Sequence, residues 1–158
     1  MKKILILEDN LYTAEDMTEE IKYALQKENI NNVDIEPLNS IDEINEWIQK
    51  NSVKDLLCLI ADLNMNPAGL TDEEKKRTNG AVLTGWVWVN CYIRNRHELK
   101  DLNVIFYSAF IDRLRKDYEF KSMNSKEQKK TILIAKNEYG MENLCRELIK
   151  IVKGNNLT

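Results

Sequence analysis

Four short apolar runs punctuate the chain, at residues 4–7, 56–61, 104–109 and 131–135. A strand buried on both faces reads this way, because helices cover a parallel sheet above and below. A fifth segment, Val33–Leu38, has a different pattern. Val33 and Ile35 alternate with Asp34 and Glu36, and Pro37 interrupts the run. Proline has no N–H to give to a ladder, which places this strand at a sheet edge.

Helical spacing fills the intervals. Met17, Ile21, Ala24 and Leu25 trace one face, as do Ile41, Ile44 and Ile48. Ser40 and Glu43 have the spacing of a capping box that would open the second helix. Residues 86–94 are apolar almost all round, which predicts a well-buried third helix. Residues 111–130 are charged and less regular. Leu144, Leu148, Ile151 and Val152 define the face of a last helix, with Gly154 as its expected stop. The order is β-α-β-α-β-loop-α-β-α-β-α, an α/β fold with an open, doubly wound, five-stranded sheet over a single domain, 1–158. Residues 64–84 are long for a connection that usually takes ~2–6 residues. Within them Thr71 and Glu74 form a second capping-box pair, predicting a short extra helix over 72–77.

Composition narrows the class. The chain has 158 residues, 43% of them hydrophobic and 31% charged, with 5 Gly and 2 Pro, which excludes collagen-like, low-complexity and disordered chains. A net charge of −3 gives no overall basic excess for nucleic acid. No apolar run approaches the ~20 residues of a membrane helix, and Glu8 and Asp9 end the N-terminal hydrophobic stretch too early for a signal peptide. Cys58, Cys91 and Cys145 are odd in number, widely spaced and set in apolar segments. They read as reduced thiols, neither a disulfide nor a zinc site, and point to the cytoplasm. Trp47, Trp86 and Trp88 read as core or lid packing, and His97, among Arg94, Arg96 and Glu98, as a surface residue.

In open α/β sheets, ligands gather outside the carboxyl ends of the strands. The first strand ends at Glu8-Asp9, the third at Asp62, the fourth at Ser108 and the fifth at Lys136. Taken singly, these residues have ordinary readings as helix caps or solvated charges. Together they would put three carboxylates, a hydroxyl and an ammonium on one rim. Crowded carboxylates raise one another's pKa values, and a hard divalent cation such as Mg²⁺ relieves that repulsion. A carboxylate beside a cation and a lysine is well placed to accept a phosphoryl group.

The segments ILILEDN, LIADLNMNP, FYSA and IAKN, taken in order, resemble the receiver domain of two-component response regulators. The resemblance spans the whole chain and implies a flavodoxin-like (βα)5 sheet with strand order 2-1-3-4-5. It also implies that Asp62 is the phospho-acceptor. Asp9, Asp62 and the backbone carbonyl of Asn64 would ligate Mg²⁺, and Glu8 would act on the metal through water. Ser108 would bind the phosphoryl group and Lys136 would pair with it. Thr84-Gly85-Trp86 resembles the family's start of the third helix, but Gly85 lies 23 residues after Asp62, a wider interval than the family's. Asn137 follows Lys136 where the family has proline. Leu133 stands at the aromatic switch position, and Phe110 at a position that tunes dephosphorylation.

The expected function is that of a stand-alone response regulator. It would receive phosphate from a histidine kinase or phosphotransfer protein and dock a downstream protein through the face of the fourth helix, fifth strand and fifth helix. It would be a monomer or weak dimer, contact neither nucleic acid nor membrane, and catalyse only its own Mg²⁺-dependent phosphorylation and dephosphorylation. The alternative is a receiver-like interaction module that is rarely or never phosphorylated. A phosphatase of the haloacid dehalogenase type would need a second Asp where Asn64 stands.

Overall fold

The computed structural model describes residues 1–156. Five strands, β1 (Lys2–Leu7), β2 (Val33–Leu38), β3 (Leu56–Ala61), β4 (Asn103–Ser108) and β5 (Thr131–Ala135), form one parallel sheet in the order β2-β1-β3-β4-β5. Every pairing is parallel. The Pro37 strand lies at an edge, where its missing donor costs no ladder bond. Helices α1 (Leu11–Lys27) and α8 (Gly140–Asn156) cover one face, packing on Ile4, Ile6, Ile60 and Ile105. The other face carries Leu5, Leu7, Leu59, Val104 and Phe106 and packs against α2 (Ile41–Lys50), α4 (Thr84–Trp88), α5 (Ile111–Arg115) and Phe120 of α6 (Tyr118–Lys121); α3 (Asp72–Lys76) and α7 (Ser125–Lys129) bury no residue.

Eight α-helices are present among the described residues, against five and a short extra one expected. The difference lies in the stretch before β5. The expected extra helix forms as α3, opened by a complete capping box in which Thr71 and Glu74 satisfy each other's backbone N–H groups. The charged stretch before β5 breaks into α5, α6 and α7, because Asp117 and Asn124 cap new helices at Phe120 N and Glu127 N. The predicted third helix also changes its hydrogen-bonding pattern midway. After Trp88 it continues as a π-helical segment, Val89–Ile93, a rare geometry usually confined to one turn.

Two cap assignments are corrected. Ser40 does accept from Glu43 N, but the Glu43 carboxylate bonds Asn39 N rather than closing the box on Ser40. Gly154 does not stop the last helix, which runs to Asn156. All three cysteines are free, with Cys58 buried. The three tryptophans are buried and His97 is exposed. Among the described residues, no helix is long and apolar enough to cross a membrane.

Candidate functional site

Alternation along the strands decides which side chains meet. Leu7 pairs with Ala61, so the next residues, Glu8 and Asp62, stand side by side and point to the face lined by Ile4, Ile6 and Ile60. That alignment depends on an irregularity in the pairing. Lys3 pairs with Leu56 but Ile4 pairs with Cys58, so Leu57 is an extra residue that shifts the register of β3. A one-residue slip would turn Asp62 to the opposite face. On β5 the same parity holds Ile132 and Ile134 on this face and continues to Lys136. On β4 it holds Tyr107, and it leaves Ser108 facing the other way.

Lys136 therefore reaches back across β4. Its Nζ donates to Asp62 Oδ2 at 3.0 Å and to Glu8 Oε1 at 3.3 Å. On the way it lies 5.6 Å from the centroid of the Tyr107 ring, a cation–π distance. Gly140, the first residue of α8, lets that helix close on Tyr107: a Cβ there would stand 2.9 Å from the ring and 2.5 Å from the Ala135 carbonyl oxygen. Asp62 Oδ1 is held by Leu63 N at 2.7 Å. The side chains of Glu8, Asp62 and Lys136 are 4%, 13% and 23% exposed, so the cluster is sheltered but open on the lysine side.

Burial, and then the charge of Asp62, push the Glu8 carboxyl up to about 7, with Lys136 pulling it back. For Lys136, burial works against the charged form, but Asp62 and Glu8 together outweigh it and raise its pKa. Two carboxylates facing one ammonium leave excess negative charge, and Glu8 Oε2 is buried with no hydrogen-bond partner among the described residues. An orphaned carboxylate oxygen of this kind is expensive unless something cationic or protic faces it.

The other expected residues occupy the same rim but not this cluster. Asp9 is exposed, and its Oδ2 accepts from Asn66 N at 3.1 Å, which ties the loop after β1 to the long loop after β3. Asn64 is exposed in that loop. Ser108 is fully buried, and its Oγ accepts from Phe110 N at 3.2 Å. Among the described residues, no three His, Cys, Asp or Glu side chains converge into a metal cage. Mg²⁺ does not require one, since it takes one or two carboxylates and completes its shell with waters and phosphate oxygens. The all-oxygen donors and the unpartnered Glu8 oxygen fit that cation.

Sequence reasoning missed Tyr107 and Asn66. The period-2 parity of β4 could have found Tyr107, since it shares a face with Asp62 and Lys136. Asn66 acts through its backbone N–H, which leaves no mark in residue identity.

The long loop also approaches the site. Gly85 N donates to Leu63 O at 3.0 Å, and a Cβ on Gly85 would stand 1.8 Å from the Asp62 carbonyl oxygen. Only glycine allows α4 to begin this close to the end of β3. Every peptide bond among the described residues is trans, including Lys136–Asn137.

No family model matches the sequence, and no curated protein matches it. Solved structures do. A sensor protein from Polaromonas sp. JS666 superposes with a TM-score of 0.66 at 14% identity, over 97% of each chain. A response regulator receiver domain protein from Clostridium thermocellum gives 0.56 at 12%, over 99% of this chain and 98% of that one. The response regulator protein TrrA from Thermotoga maritima, in complex with Mg²⁺-BeF, gives 0.51 at 16%, over 96% of this chain and 99% of that one. The chain thus has the flavodoxin-like fold of response regulator receiver domains, along nearly its whole length.

Proposed function

We propose that this chain is a phosphorylation-dependent signalling switch whose acceptor is Asp62. The observation that carries the reading is the Lys136 ammonium bridging Asp62 and Glu8 at adjacent strand ends of a receiver-type sheet. The donor would be the phosphohistidine of a histidine kinase or phosphotransfer protein. An Asp62 oxygen forms the new P–O bond as the P–N bond breaks, and the imidazole keeps the electron pair and takes a proton. Lys136 holds the acceptor in place beforehand and pairs with a phosphoryl oxygen afterwards. Buried Ser108 gives up its bond from Phe110 N and turns its hydroxyl to the phosphoryl group.

Glu8, Asp9, Asp62 and the Asn64 carbonyl are the groups that would hold Mg²⁺, Glu8 through water. When bound, the cation neutralises charge on the transferring oxygens. The TrrA complex with Mg²⁺-BeF supports this choice of cation. The chain would act on no separate substrate, catalysing only its own Mg²⁺-dependent phosphorylation and dephosphorylation. A phosphoryl group adds roughly −1.5 to −2 charge to the rim, enough to bias a docking surface of α5–α7, β5 and α8 toward a downstream protein. The three free thiols agree with a cytoplasmic setting.

A second reading is an interaction module that seldom carries phosphate. It is favoured by the engagement of Asp9 with Asn66 N and of Ser108 with Phe110 N. Incubation with acetyl phosphate and Mg²⁺, followed by intact mass measurement, separates the two. The switch gains one phosphoryl group, which EDTA or Asp62→Asn abolishes. The module gains none.

A further inference from the structure

Two adjacent residues of α6 join it to the long loop after β3 and to α4, the helix that follows that loop. Arg77 follows α3 and binds Glu119 through both ends of its guanidinium, with Nε donating to Oε1 at 3.2 Å and Nη2 donating to Oε2. Its Nη1 also lies 3.1 Å from Cys91 Sγ in the π-helical segment, where Tyr92 OH donates to Glu74 Oε1 at 2.8 Å. The neighbouring residue, Phe120, meets Trp86 edge to face, with ring centroids 5.3 Å apart and planes at 82°. Trp86 makes a second edge-on contact with Phe106 of β4 at 6.2 Å.

Trp86 directly follows Gly85, the residue in contact with the Asp62 carbonyl. A continuous packed path therefore runs from the acceptor through Gly85 and Trp86 to Phe120. The turn that delivers Gly85 is held tightly: Asn79, Gly80 and Ala81 all have positive φ, and Thr78 bonds Ala81 N through its side chain and Leu83 N through its carbonyl. A displacement at Leu63 or Gly85 cannot be absorbed there without moving Trp86.

The far end of the path is the yielding part. α6 is a single turn, Tyr118–Lys121, with no fully buried residue. The half-exposed Arg77–Glu119 ion pair ties it to the loop, and the ring contact of Phe120 ties it to Trp86 of α4. Trp86 Nε1 is buried with no acceptor among the described residues, an unfavourable feature that another arrangement would relieve. A rigid input, a rigid conduit and a weakly held output are what a two-state coupling element requires.

We infer that Trp86 and Phe120, braced by the Arg77–Glu119 pair, couple the state of the Asp62 carboxylate to the position of α6. The phosphorylated arm of the test rests on the receiver reading above; the second arm does not. Amide hydrogen exchange over residues 117–124 is followed by mass spectrometry in the full chain, before and after acetyl phosphate and Mg²⁺, with intact mass recording the phosphate. Exchange there should change by roughly threefold or more on phosphorylation. Phe120→Ala and the milder Arg77→Gln should take up the same phosphate yet lose that change, while Tyr118→Ala, on an exposed position of the same helix, keeps it. The second arm compares unphosphorylated Asp62→Asn with the parent chain. Removing the charge that faces Lys136 should alter exchange over 117–124, and Phe120→Ala in that background should cancel the effect. A chain that takes up no phosphate ends the proposed function, and the inference is then decided by the Asp62→Asn arm. An unchanged 117–124 segment in that arm, or a response that survives both Phe120→Ala and Arg77→Gln, overturns the coupling.

Discussion

Glu8 carries a measurable consequence of its own. The folded chain holds the Glu8 proton up to about pH 7, whereas an unfolded glutamate releases it near 4.5. A raised folded pKa stabilises fully below the unfolded value and loses that contribution as pH rises through the folded one. In EDTA, stability should therefore fall across about pH 4.5 to 7. Glu8→Gln should flatten that slope and leave the protein more stable at pH 8, by on the order of 1–3 kcal/mol in urea unfolding. Parallel pH profiles for the two proteins would show that Glu8 is not strained by burial and by Asp62. Gly85→Ala tests the backbone side of the site. With its Cβ driven to 1.8 Å from the Asp62 carbonyl oxygen, α4 must retreat, at a cost of about 3 kcal/mol. A change below about 0.5 kcal/mol would mean that α4 does not abut the acceptor strand. At this scale the sequence was informative about identity and silent about engagement. Glu8, Asp62 and Lys136 could be named from strand ends, because parity and strand termini are written in the hydrophobic pattern. The bond from Asn66 N to Asp9, and that from Phe110 N to Ser108, depend on backbone groups every residue shares.

Among the elements, strands were the more legible. β2, β3 and β5 fall where their patterns place them, and β1 and β4 differ at the ends. The register shift at Leu57 was not visible, since a bulge inside an apolar run leaves the run apolar. The long loop, in sequence only an unusually long connection with a short helix, is anchored. Leu70 and Leu83 are 6% and 2% exposed and join the core beneath α2. Leu70→Ala should thus cost about 2–3 kcal/mol in urea unfolding, as for a core leucine. A cost near zero would return the segment to the status of a loose loop. The helices before β5 show why charged, aperiodic stretches resist reading. Asp117 and Asn124 each offer a cap that competes with continuing the preceding helix, and the cap wins where no apolar face holds the longer helix together.

For the whole molecule, the sheet is the device that makes the site. Five parallel strands bring residues separated by more than a hundred positions to one rim, and alternation selects Glu8, Asp62 and Lys136 for one face while sending Ser108 to the other. Helices on both faces exclude water from the carboxylates, which strengthens every charge interaction among them. Half-buried Phe110 lies next to this rim and should shield an acyl phosphate from hydrolysis. Phe110→Asn is expected to shorten the lifetime of the phosphorylated chain severalfold, read as loss of the phosphorylated mass after acetyl phosphate is removed; an unchanged decay would remove Phe110 from the account. The most direct test of the central claim is to trap the phosphorylated chain with borohydride, which reduces an aspartyl phosphate to homoserine, and to map the product by peptide sequencing. Homoserine is expected at position 62 alone, formed only with Mg²⁺ present. Reduction at Glu8 or Asp9 instead, or no reduced residue in a chain exposed to acetyl phosphate and Mg²⁺, would contradict it.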